Sequence, residues 1–262
     1  MVRNLKTLAL MGAIAASSSV ATAAQAGTIL GPVESKWVVT IDPATRKVVK
    51  GVDIKGGGKL IGIDVRPADG LLYGVTPDGW IVTVDPQTGQ ATQKSKLSET
   101  LKPGVIATVD FNPVADRLRI MGSDGTSLRV NVDDGKATVD GAHKFKEGDP
   151  NAGKTPKIIA GAYSNSVKGT QSTTLYDIDA TTASLVTQAP PNDGVLNTVG
   201  PLGIKLEGAV GFNIVSSAPD QNEAWLTTGG ALYSVDLKNG KATMVGKFNG
   251  LPGYLTDIAW TD

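Results

Sequence analysis

Over residues 27–262, apolar residues come in runs of four to six, many of them alternating with polar ones, and no stretch holds a helical period. The runs are rich in β-branched and aromatic residues, and Asp-Gly, Pro-Asp-Gly or Thr-Gly separates them. That is the pattern of short antiparallel strands joined by tight turns. Residues 72–89 show it: an apolar run from Leu72, the turn Asp78-Gly79, a second run from Trp80, then Asp85-Pro86 and Thr88-Gly89.

The pattern repeats. Related pieces occupy residues 37–43, 118–133, 174–179 and 224–236, and a shared aspartate marks each copy at Asp42, Asp85, Asp133, Asp179 and Asp236. The markers lie 43, 48, 46 and 57 residues apart. About four short strands repeated radially describe a blade of a β-propeller, whereas helical solenoids need helical faces. Each marker aspartate is expected to cap its turn through the side chain. First strands of the units are predicted at residues 61–66, 107–111, 159–164, 210–214 and 255–260.

The ends of the pattern interlock. At an offset of 43, residues 29–43 align with 72–86, pairing Gly31 with Gly74, Trp37 with Trp80, Asp42 with Asp85 and Pro43 with Pro86. The first copy thus enters at the second strand of a blade, and residues 255–260 read as an isolated first strand. A ring in which the C-terminal strand completes the N-terminal blade leaves no open sheet edge at the junction. The expected fold is all-β, a single five-bladed propeller domain over residues 27–262 closed by both termini.

Residues 1–26 read differently: Arg3 and Lys6, an apolar run over residues 8–16, then Ala24-Gln25-Ala26. This is the order of a secretory signal peptide with an A-x-A cleavage site. The run is shorter than a membrane span requires, so the expectation is an exported, periplasmic or extracellular protein without a membrane span. The leader holds two cations and no acid, so the balanced 25 basic and 25 acidic residues of the whole chain become a net −2 without it. A nearly neutral chain has no footprint for nucleic acid. With no cysteine and one histidine, thiolate metal centres, disulfides and imidazole clusters are excluded.

Three segments, VDFNPVADRLRI over 109–120, TLYDID over 174–179 and PPNDGVLNTVG over 190–200, resemble the bacterial exported proteins grouped as domain-of-unknown-function family 4394. The resemblance covers essentially all of residues 27–262 and implies a propeller. It brings no activity to transfer residue by residue. The Trp80–Gly89 pattern also resembles YVTN-type and lactonase-like propellers.

Candidate chemistry follows from the first strands. Aligned, they place Asp64, Asp110, Tyr163, Asn213 and Ala259 at one level, and Arg66, Asn112, Asn165, Val215 and Thr261 at the next on the same face. Polar residues on innermost strands fit a wet channel. One reading is a small polar pocket, or a calcium site on Asp64, Asp110 and Asn213, whose oxygens suit that ion. The other is that Asp64 and Asp110 satisfy backbone groups or pair with Arg66, Arg117 or Arg119. Long loops are expected at residues 97–106, 141–157 and 188–206, the last as a lid, a rim or a packing insertion. His143, in the middle loop, has no G-x-S-x-G serine motif beside it and is expected to be solvated. Gly56-Gly57-Gly58-Lys59 lacks the phosphate-loop pattern, and Asp124-Gly125 and Asp133-Asp134-Gly135 lack calcium-loop spacing.

No nucleophile motif, redox ligand set or cofactor fingerprint emerges. The sequence therefore favours a monomeric binding module for a small ligand, glycan or protein at the channel mouth and inter-blade loops. The alternatives are a calcium-dependent lactonase-like hydrolase or lyase using channel carboxylates, and a structural protein of the cell surface or matrix.

Overall fold

The computed structural model describes residues 27–261. The leader expected over residues 1–26 lies outside them. Strands β1 (Thr28–Val33), β2 (Trp37–Asp42) and β3 (Lys47–Asp53) begin the first sheet. The second holds β4 (Gly62–Val65), β5 (Leu72–Val75), β6 (Trp80–Val84) and β7 (Ala91–Lys96). The third holds β8 (Ala107–Asn112), β9 (Arg117–Gly122), β10 (Ser127–Val130) and β11 (Ala137–Val139). Then come β12 (Lys144–Phe145), β13 (Ile158–Tyr163), β14 (Leu175–Asp179), β15 (Ser184–Gln188) and β16 (Val195–Pro201). The fifth sheet is β17 (Gly211–Ala218), β18 (Gln221–Thr228), β19 (Ala231–Val235) and β20 (Ala242–Lys247), and β21 (Ala259–Thr261) ends the described chain.

Each sheet is built on a four-stranded antiparallel meander, and the five form the ring of a five-bladed β-propeller. β4, β8, β13, β17 and β21 are innermost and touch one another around the axis. β21 pairs with β1, Leu30 opposite Ala259 and Ile29 opposite Trp260. The closure expected from the interlocking ends is therefore present.

Alternation explains why blades stack. Each inner strand buries both faces, whereas an outer strand such as β3 turns alternate residues to solvent, the charged Lys47 and Asp53 among them. Apolar clusters fill the wedge between each neighbouring pair of blades: Leu30 and Val38 with Ile63 and Val82 between the first and second, and Tyr73 with Phe111 between the second and third. Tyr73 and Phe111 meet edge to face at 5.2 Å, the geometry aromatic rings prefer.

The third-strand turns dock each blade on its predecessor. Gly89, at φ +74°, leaves only 2.0 Å between an added Cβ and the Asp53 carbonyl oxygen, and Gly135, at φ +73°, leaves 1.9 Å to that of Lys96. Only glycine combines that left-handed conformation with so close an approach.

Two expectations about the repeat change. The turn after β10 is built on Asn131, whose N–H donates to Lys136 and whose carbonyl accepts from Gly135, as Asp85 does with Gln90 and Gly89. Asp133 is therefore not the equivalent of Asp85. Asp179 ends the second strand of its blade, not the third, and caps the turn that follows by accepting from Thr181 and Thr182. A recurrent Asp after an apolar run marks a tight turn of either hairpin, so the spacing alone could not assign its strand. Asp42, Asp85 and Asp236 do cap their turns, at 2.7–2.9 Å.

The loop expected at 188–206 contains a strand. A 3-10 turn, Pro191–Asp193, leads into β16, the outer strand of its blade. The segment 141–157 contributes β12, a fifth strand parallel to β16.

Candidate functional site

The polar residues of the inner strands stitch blades together. Asp257, just before β21, accepts from the Ile63 N–H of the second blade at 3.0 Å. Asp64 accepts from Phe111 N–H of the third at 2.8 Å, and Asp110 from Tyr163 N–H of the fourth at 2.8 Å. Between the fourth and fifth blades the bridge is amide and hydroxyl: Asn165 N–H donates to Asn222 Oδ1, and Asn165 Oδ1 accepts from the Asp220 N–H and the Asn222 amide. Asn213 donates to Ile258 O at 3.4 Å, linking the fifth blade to the first. An inner-strand N–H facing a neighbouring blade has no ladder partner there, so a side-chain acceptor fills the gap.

These carboxyls are buried, which favours their neutral forms. Burial pushes Asp64 up to about 7, against the backbone N–H donors and the Asn213 amide that favour its charge. Burial holds Asp110 well above the carboxylate range, with Asp64 adding repulsion, and Asp257 likewise. Asp177 on β14 makes no hydrogen bond with either oxygen, and burial raises it to about 8 although Arg119 opposes the shift.

The donors around Asp64, Asp110 and Asn213 do not suit the expected cation. One oxygen each of Asp64 and Asp110 is committed to a backbone N–H, and Asn213 turns its amide donor to a carbonyl. Low polarity favours the protonated acids. Among the described residues no group of three or more His, Asp or Glu side chains is placed to hold a metal ion.

Five residues of the two predicted levels meet at an opening, Val215 and Thr261 among them. Asp64, Arg66 and Asn213 line a cavity of about 420 Å³ at the C-terminal ends of the inner strands, with Ser166, Lys168 and Trp260. Arg66 is fixed as its wall: Nε and Nη2 bind Asp116 at 2.8 and 2.5 Å, and Nη1 reaches Asp69 and the Tyr73 hydroxyl. The Asp116 carboxylate beside it holds the guanidinium charged, and the guanidinium in turn holds Asp116 below the usual carboxylate range. Asp110, Asn112, Tyr163, Asn165 and Ala259 lie outside its lining. Asn112 caps its own turn by accepting from Val114 and Ala115. Tyr163 packs in the wedge between the third and fourth blades, its hydroxyl accepting from Arg119 at 3.2 Å. Arg119 pairs with Asp140 at 2.6 Å and also holds Ser127 and Asn192, so the turn carrying Asn192 is a packing insertion.

His143 is not solvated. It is 9% exposed, and neither ring nitrogen has a partner. Burial, with Arg119 opposing a second charge, lowers it to about 4 and keeps the ring neutral.

The sequence profile of a family described as a domain of unknown function, DUF4394, matches residues 37–259. The chain belongs to that family. No curated protein matches the chain in sequence. Among solved structures, a protein of unknown function from Bacteroides thetaiotaomicron VPI-5482 is similar with a TM-score of 0.55 at 16% identity, over 89% of this chain and 64% of that one. A protein of unknown function from Bacteroides caccae gives 0.44 at 14% identity, over 86% of this chain and 73% of that one. The extracellular domain of a putative hybrid two-component system from B. thetaiotaomicron gives 0.41 at 14% identity, over 86% and 28%. The TM-score of 0.55 supports a shared fold and no more.

The sequence pointed to the inner strands but missed Lys168, Ser166 and Trp260 at the opening. Trp260 carried a signal, since it lies in the predicted closing strand. Lys168 sits between β13 and β14, in a segment whose sequence says only that it turns.

Proposed function

We propose that this DUF4394 protein is a monomeric, exported single-domain binding propeller that takes a small polar ligand at the channel mouth. One observation carries the reading: the inner strands converge on a 420 Å³ cavity, a volume in the range of small-molecule sites. Its wall is already ordered, because Arg66 is held by Asp116, Asp69 and Tyr73. Its working groups are the exposed Lys168, which forms no salt bridge among the described residues, the Asn213 amide and the protonatable Asp64. A cation beside an amide and a neutral acid suits a ligand bearing carboxylate or hydroxyl oxygens. Export rests on the leader pattern over residues 1–26. No helix among the described residues is long and apolar enough to cross a membrane.

The test is a thermal-shift and calorimetric screen with small dicarboxylates, hydroxy acids and monosaccharides, on wild type and on Lys168→Ala and Asn213→Ala. A ligand that stabilises wild type and loses about tenfold in affinity in either variant, the scale of one lost polar contact, supports the reading. Binding that both variants leave unchanged places the ligand elsewhere.

A further inference from the structure

A second cavity, about 640 Å³, lies in the wedge between the fifth blade and the first. Trp260 lines both this cavity and the mouth. Its wall is aromatic: Trp225 of β18 stacks on Trp260 of β21 with ring centroids 5.8 Å apart and planes 19° from parallel. Its rim carries both signs of charge, Arg46 and Lys238 with Glu223 and Asp236.

Two features set this wall apart. Arg46 occupies the turn position that Gly89 and Gly240 fill in the second and fifth blades: its N–H donates to Asp42 O, as theirs do to Asp85 and Asp236. It holds φ +57° there, a left-handed conformation that glycine adopts freely and arginine does not. Its side chain lies over β20, where Gly246 leaves only 2.6 Å between an added Cβ and Arg46 Nε. The second feature is unmet polarity. Arg46 Nε, Trp225 Nε1 and Trp260 Nε1 are buried without a hydrogen-bond partner, an arrangement that native structures avoid. All three residues contribute to the cavity lining.

We propose that this wedge is an oligosaccharide site, separate from the small-ligand reading of the mouth and independent of it. A pyranose ring offers an apolar C–H face that packs on an indole, and hydroxyls that both donate and accept. Here the indoles supply the surface, Arg46 and Lys238 the donors, and Glu223 and Asp236 the acceptors. The cavity is large enough for more than one ring.

The probes are cellohexaose, maltohexaose, chitohexaose and hexagalacturonate, titrated while following intrinsic tryptophan emission and heat. At least one is expected to bind saturably with a change in emission. Trp225→Ala should weaken that binding about tenfold or more, as for a buried aromatic anchor, and Trp225→Phe should largely restore it. Arg46→Gly is the variant that separates ligand from fold. It should melt no lower than wild type, because glycine suits the turn, yet bind the saccharide several-fold more weakly. The proposal is overturned if none of the four probes binds, if binding survives both Trp225→Ala and Arg46→Gly, or if Arg46→Gly lowers the melting temperature. Loss in Lys168→Ala with none in Arg46→Gly would move the saccharide to the mouth and equally overturn it, leaving the mouth reading standing. Conversely, saccharide binding that depends on Trp225 and Arg46 stands whether or not the mouth binds a small acid.

Discussion

Replacing Asp177 by asparagine should make the protein more stable in base and leave it nearly unchanged in acid. Asp177 lies on β14 with both oxygens unpartnered and fully enclosed. Burial raises its pKa from 3.8 to about 8. The folded state therefore holds this proton more tightly than the unfolded chain does, and stability falls as pH rises through that window. The contribution is fully present below about pH 4 and gone above about pH 8. Four pH units at about 1.4 kcal/mol each put the change on the order of 5 kcal/mol. Asparagine has nearly the same shape and carries no charge at any pH, so it removes the penalty. At pH 4 the two proteins should melt together. At pH 9 the variant should melt about 10–20 °C higher, given the usual 2–4 °C per kcal/mol for a chain of this size. Calorimetry across pH 4–9 checks it, and the difference between the curves isolates Asp177 from the other buried acids. Parallel curves, or a variant less stable at every pH, would show that Asp177 is ionised and paired in the folded protein and would refute the reasoning.

His143 works in the opposite sense: its folded pKa of about 4 lies below the ordinary 6.5, so it costs about 3 kcal/mol as pH falls from 6.5 to 4, and His143→Gln should flatten urea-denaturation midpoints across that range. Gly135→Ala should lower the melting temperature by about 5 °C or more, since an added Cβ meets the Lys96 carbonyl at 1.9 Å on a left-handed backbone, and a scan showing no change would mean the blades do not dock through these turns. Ending the chain at residue 258 removes β21 and leaves the inner edge of β1 unpaired, so the truncated protein should aggregate, as static light scattering would show. Asp64→Ala deletes the acceptor of the buried Phe111 N–H and should cost about 1–3 kcal/mol by chemical denaturation.

Much of the fold was legible because the repeat is written in turn chemistry. Asp-Gly, Thr-Gly and the Pro after the marker aspartate set the hairpins, and alternation set which face of each strand is buried. The inner strands were legible too, since polar residues in otherwise apolar runs stood out. Their role was only half legible. Asp64, Asp110 and Asn165 span neighbouring blades, and a partner about fifty residues away in sequence leaves no local mark. His143 illustrates the reverse error, because a lone histidine in a polar loop looks solvated until β12 pairs with β16 and buries it.

The sequence by itself determined an all-β repeat, its five units and the closure of the ring, because turn propensity and period-two alternation are local properties of the chain. Tertiary structure alone decided which polar side chains became inter-blade clasps, which acids lost their charge and where open space remained. Those depend on the distance between blades and on exclusion of water. The same aspartate is a solvated turn cap at position 85 and a buried, protonatable clasp at position 64.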